Sequence, residues 1–242
     1  SFLFSQIMEK WQKMILSLNN TLWKKLQLFT LKDIKVIILT DETIKRSVRM
    51  KFFKAKKGIR LPGKKEETIH LPITNYNSPE FVYIPLSLKG NDFEILVKAG
   101  DKVKVGQKIA ERSETKGLPI VKHATVSGEV IGTERKLHTT GTPYVCIKIK
   151  NDFQDTLVDV KPIKNIEDVS REDLLNIIHE SGIVGLGGAG FPTALKYKNT
   201  KNIDTIILNG AECEPYLTAD HRLMLEYPER VVYGLKPIMK AV

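Results

Sequence analysis

Residues 185–197, Gly-Leu-Gly-Gly-Ala-Gly-Phe-Pro-Thr-Ala-Leu-Lys-Tyr, have the chemistry of an anion cradle. The glycines at Gly185, Gly187, Gly188 and Gly190 remove the Cβ atoms that would hold a phosphate away from the main chain. Pro192 fixes φ at a value suited to the first turn of a helix, so main-chain N–H groups are expected to face whatever sits in the loop. Helix starts of this kind favour negative charge. Lys196 follows at a spacing that adds a point charge. The segment reads as a holder for the phosphate of a nucleotide or a flavin.

The flanking sequence shows how such a loop would be positioned. Ser170-Arg-Glu-Asp173 fits a helix start, with a serine cap and acids in the first turn. Leu174, Leu175, Ile177 and Ile178 then form an apolar stripe, and the helix is expected to end near Gly182. Gly185-x-Gly187-x-x-Gly190 matches the dinucleotide fingerprint formally, but a helix precedes it where that fingerprint needs a strand. Ile203–Leu208 is an apolar run of strand length, followed by Asn209-Gly-Ala-Glu-Cys-Glu-Pro215. Polar groups at the C-terminal end of a parallel strand are where α/β sheets place ligands. Asn209 suits a flavin or ribose, and Glu212 and Glu214 suit hydroxyls or an amide. Cys213 has no base nearby in sequence and is expected to pack, while Asp220-His221-Arg222 reads as the start of a helix continuing through Met224 and Leu225.

Residues 80–150 read as short strands rich in Val, Ile and Tyr: 80–85, 94–98, 108–111, 120–124, 129–134 and 144–150. Gly100-Asp101, Gly106, Ser127-Gly128 and Gly141 supply turn chemistry between them. The run Val97–Glu111 followed by Ala124-Thr-Val-Ser-Gly-Glu-Val resembles the barrel-sandwich hybrid of biotinyl and lipoyl domains. Lys116 stands where those domains carry a modified lysine. Its flanks are neither Asp-Lys-Ala nor Met-Lys-Met, so it is expected to be a solvated loop lysine. His123 and His138 lack partners at ligand spacing, and no metal site is expected.

The first 49 residues have a different texture. They hold both tryptophans, no glycine or proline, and nine Lys/Arg against four Asp/Glu, half of the net charge of +10. Periodicity allows a helix over about residues 5–29, then a strand over 35–40. Met8–Leu28 also has the apolar and basic mix of a membrane-surface helix. Arg46-Ser-Val-Arg49 can be encoded by purine-rich codons resembling a ribosome-binding sequence just before Met50, so residues 1–49 are expected to be translated leader. Aromatic residues are not interleaved with the basic ones, which argues against a nucleic-acid partner. No apolar run reaches the length of a membrane span. Two cysteines, Cys146 and Cys213, cannot make a cluster or zinc site alone, and sparse cysteine suits a reducing cytoplasm.

Gly185–Thr193 together with Asn209–Met224 resembles the C subunit of the Rnf electron-transport complex and, more distantly, the FMN- and NADH-binding flavoprotein subunit of respiratory complex I. Gly58-Ile-Arg-Leu-Pro62 and the β module fit the N-terminal region of the Rnf protein, so the likeness runs over about 50–242. Leu186 stands where the complex I pattern has arginine, and Ala211 where it has aspartate; both are at home in the Rnf-like branch. The resemblance implies a fold of α/β and β type: a barrel-sandwich hybrid over 50–155, then the first part of a Rossmann-like FMN/NADH-binding domain over 160–242. It implies that Gly185, Gly187, Gly188, Gly190 and Lys196 cradle the FMN phosphate, that Asn209 and Glu212 line the flavin, and that Glu214 faces the nicotinamide nucleotide.

No residue of this chain is expected to be catalytic in itself, the redox chemistry being the cofactor's. The implied activity is that of an NADH-linked oxidoreductase subunit in a translocase complex. It passes electrons between NADH and a ferredoxin-linked, ion-translocating membrane complex through FMN and 4Fe-4S clusters. The protein would be peripheral, on the cytoplasmic face, with other subunits of the complex as partners. The family's cluster motifs are not in these 242 residues, and Leu235–Val242 stops within an apparent helix. An N-terminal fragment, inactive alone, is therefore expected. A flavoprotein subunit of the proline-reductase-associated type and a non-enzymatic docking scaffold remain alternative readings.

Overall fold

The computed structural model describes residues 27–31, 34–39, 62–76, 79–87, 90–160, 162–186, 190–200 and 202–242. Met50, Gly58–Leu61, Gly187 and Gly188, on which sequence expectations fall, lie outside them, as does most of the helix expected over 5–29. The chain divides into two compact units, one of residues 75–201 and 236–242, the other of residues 1–74 and 202–235.

The larger unit is built on two sheets. Strands β3 (Phe81–Ser87), β9 (Pro143–Asn151), β8 (Gly128–Leu137) and β5 (Lys102–Val103) pair in that order, and β4 (Glu94–Ile95), β6 (Lys108–Arg112) and β7 (Ile120–His123) form the second sheet. All these pairings are antiparallel, and the sheets do not close into a barrel. Alternation drives the register: Ile84 and Leu86 of β3 point inward on the same face, as do Ile147 and Ile149 of β9. They meet Phe93, Val103, Ile109, Ala110, Ala124, Val126 and Val130 in one core. The expected strands are all present. Strand 94–98 is shorter than expected, because Leu96 makes a last hydrogen bond to Ile109 at 2.9 Å and the chain then turns at Gly100. Lys102–Val103, not anticipated, is a two-residue strand too short to show alternation.

Helices α1 (Arg171–Glu180) and α2 (Thr193–Lys198) complete this unit with the end of α4 (Pro228–Ala241). Leu174 and Ile178 of α1 pack with Ala194 of α2 and with Ala241. The Ser170 hydroxyl accepts the Asp173 N–H at 3.0 Å, as the capping pattern predicts. At the other end of α1, Gly182 (φ 65°) donates to His179 at 2.9 Å and Ile183 donates to Ile178 at 3.4 Å, the paired bonds of a Schellman turn.

The smaller unit holds β1 (Gln27–Leu31), β2 (Ile34–Leu39) and β10 (Thr205–Asn209) in one sheet, with helix α3 (Ala219–Glu226). β1 and β2 are antiparallel, and β2 runs parallel to β10 in the register Thr205↔Lys35 to Asn209↔Leu39. The strand expected over 35–40 is thus present. Residues 27–29, placed by periodicity at the end of a helix, instead belong to β1, where pairing with β2 satisfies their backbone. No helix among the described residues is long and apolar enough to cross a membrane.

Candidate functional site

The glycine loop is closed at its base. Thr193 donates to the Ile183 carbonyl at 3.0 Å, Gly185 to Phe191 at 3.0 Å and Gly190 to Gly185 at 3.2 Å, while Val184 and Pro192 form an antiparallel bridge. The amides of Gly185 and Gly190, expected from sequence to face a ligand, close the loop instead, because the left-handed Gly190 (φ 68°) folds the chain back until these N–H groups meet carbonyls. Pro192 (φ −59°) is the cap residue of α2 rather than its first helical residue. Leu186 stands out at the loop tip, 92% exposed.

Lys196 lies on the second turn of α2, and its side chain returns to the loop. A Cβ built on Gly185 would stand 3.3 Å from the Lys196 ammonium nitrogen. Among the described residues, no carboxylate pairs with that ammonium. The arrangement is an ammonium, without a carboxylate partner among the described residues, set beside the first glycine of a glycine-rich loop. It fits a phosphate group, which needs close main-chain approach and a countercharge.

The second group of expected site residues lies in the smaller unit, just after β10. The Asn209 side-chain oxygen accepts the Ala211 N–H at 3.0 Å, a turn that orients the amide. Glu212 accepts the Asp220 N–H at 3.1 Å, capping α3, whose own cap residue Thr218 makes no side-chain bond to the helix. Burial and then the Glu212 charge push the Asp220 carboxyl above its ordinary value of 3.8, with Lys65 opposing. Glu214 is exposed, and its backbone carbonyl accepts the Lys65 ammonium at 3.2 Å. Asp220-His221-Arg222 does open a helix, and Arg222 pairs with Glu226 at 2.9 Å one turn on. Cys213, expected to pack, is exposed; the turn that brings Glu212 back to α3 leaves it facing outward.

Residues 63–68 support this segment and gave no warning in sequence. Lys65 also donates to Leu217 at 2.9 Å, Thr68 donates to the Tyr216 carbonyl at 2.6 Å, and Tyr216 donates to the Gly63 carbonyl at 2.7 Å. These contacts span about 150 positions, so no local pattern announces them. Lys116 is an exposed residue of a short 3-10 turn, as expected. His138 stacks on Tyr144 with centroids 4.2 Å apart. No group of metal-ligating side chains occurs among the described residues.

Comparison with known proteins places both halves. Residues 53–154 match the RnfC barrel sandwich hybrid domain, and residues 178–242 match the Nuo51 FMN-binding domain. The chain is 43% identical over 191 residues to the C subunit of the Na(+)-translocating ferredoxin:NAD(+) oxidoreductase complex of Acetobacterium woodii, covering 77% of this chain and 43% of that protein. It is 39% identical over 181 residues to the C subunit of the ion-translocating oxidoreductase complex of Edwardsiella ictaluri, covering 73% of this chain and 22% of the relative. The corresponding protein of Vibrio cholerae is 36% identical over 183 residues, with 74% and 23% covered. The chain thus spans less than half the length of these relatives. An RnfC barrel sandwich hybrid domain followed by an FMN-binding domain, with C subunits of ion-translocating oxidoreductase complexes matching most of the chain, makes this protein similar to the N-terminal part of RnfC.

Proposed function

We propose that the chain binds FMN through the 185–196 loop and, within the complete subunit, serves electron transfer between NADH and a ferredoxin-linked, ion-translocating complex at the cytoplasmic face of the membrane. The observation that carries this reading is the Lys196 ammonium, which pairs with no carboxylate among the described residues and lies 3.3 Å from where a Gly185 side chain would begin. Gly185, Gly187, Gly188 and Gly190 leave the phosphate room at the main chain, and Lys196 supplies its countercharge. Asn209 and Glu212 line the flavin, and Glu214 faces the nicotinamide nucleotide. Their turn and cap hydrogen bonds hold Asn209 and Glu212 in place without a ligand. Residues 50–155 and 160–242 are the two domains of this arrangement.

When bound, FMN supplies hydride exchange with NADH on one side and single-electron steps on the other. The residues named here bind and orient it and set the charge around it. With two cysteines in 242 residues, 4Fe-4S clusters fall to other parts of the subunit or to its partners. Titration of the chain with FMN, followed by flavin fluorescence, tests the reading. Saturable binding is expected, and Lys196→Ala should raise Kd about tenfold by removing a charge-assisted contact. Absence of binding, or a Kd indifferent to Lys196, would overturn it.

A further inference from the structure

The loop's first limb hangs from the C-terminal end of α1, and that end meets the β module at both β7 and β6. Gly182, in the Schellman turn, lies so close to β7 that a Cβ there would stand 2.8 Å from the Val121 carbonyl and 3.1 Å from His123 Nδ1. Its φ of 65° is a left-handed conformation that side chains disfavour, so glycine answers both the turn and the close approach. Beside it, the Lys108 ammonium of β6 bonds the Glu180 carboxylate in the last turn of α1 at 3.0 Å. The same ammonium pairs with Glu111 on its own strand. Burial pulls the Lys108 pKa down, and the hydrogen bonds to Glu111 and Glu180 outweigh it, holding the ammonium above its ordinary value of 10.5.

From Gly182 the chain runs through Ile183 and Val184 to Gly185 within three residues. The opposite end of the α1–α2 pair is fixed separately: Arg171, at the start of α1, donates to the Tyr197 carbonyl at 2.8 Å and the Ala241 carbonyl at 2.9 Å. One end is therefore tied by Arg171 and the loop end by Lys108. We infer that Lys108 is a positioning residue for the phosphate loop: by bridging Glu111 of β6 to Glu180 of α1, it keeps the Gly182 turn seated on β7 and so sets where Gly185 meets Lys196. The β module thereby acts on flavin binding without touching the ligand. This inference rests on the loop being the FMN phosphate site.

The test measures two quantities on the whole chain. Amide hydrogen exchange without FMN should quicken at Gly182, Ile183 and Gly185 in Lys108→Ala and Glu180→Gln, with β9 protection unchanged. FMN titration should give a Kd raised about threefold to tenfold in each. The double variant should be no worse than either single one, and Lys108→Arg should restore both readouts. Unchanged exchange in the turn, or a wild-type Kd in Lys108→Ala, overturns the positioning role. Lys196→Ala, measured alongside, separates the two ideas. If it weakens binding while Lys108→Ala does not, only the positioning inference fails; if neither does, the loop reading fails with it.

Discussion

A methyl group at Gly185 would reach to 3.3 Å from the Lys196 nitrogen, tight enough to press the ammonium aside. The flexible end of a lysine yields easily, so Gly185→Ala should leave the fold intact and misplace the charge. The expected result is an FMN Kd raised about threefold at an unchanged melting temperature, read by titration and circular dichroism. His123 supplies a pH dependence. Burial lowers its pKa from the ordinary 6.5, a backbone hydrogen bond at Glu180 opposes this, and the Lys108 ammonium lowers it further. The unfolded chain therefore takes up a proton at higher pH than the folded one. The stability linked to His123 is complete above about pH 6.5 and is lost as pH falls from there through the lower folded value. Denaturant midpoints between about pH 7.5 and pH 5 should show this slope, and His123→Gln should flatten it.

Among the elements, those with a local signal were readable in advance. The Ser170 cap and the apolar stripe behind it define α1, and Val/Ile alternation between glycine turns defines β3, β6, β7, β8 and β9. Ser170→Ala should cost about 1 kcal/mol, because the Asp173 N–H loses its acceptor, and Ser170→Asp should retain most of the stability. A thermal melt checks both, with a fall of about 2–4 °C expected for alanine. Elements whose identity depends on partners far away in sequence were not readable. Gln27–Phe29 has helical periodicity yet pairs with β2, and Lys102–Val103 is a strand only because Glu129 and Gly128 lie opposite. The site divides in the same way. The glycines and Lys196 raise the expectation of a phosphate loop from sequence, whereas the closure of that loop by its own amides has no local signature. Neither does the Lys108–Glu180 bridge, whose partners are 72 residues apart. Glu212 reads as a ligand-lining acid, and its hydrogen bond to the start of α3 appears only once the turn between them is folded.

For the molecule as a whole, the net charge of +10 favours the approach of anionic ligands, although half of the surplus lies in residues 1–49. Charge alone does not choose among anions, and the loop adds a local preference through an ammonium that none of the described carboxylates neutralises. A cation without an internal counterion welcomes any small oxyanion that reaches it. Inorganic phosphate should thus compete for the same place, and apparent flavin affinity should be lower in phosphate buffer than in a zwitterionic buffer of equal ionic strength. Lys196→Ala should erase most of the difference between the two buffers. What a purified sample retains of its flavin would then depend on the salts it has met as much as on the protein itself.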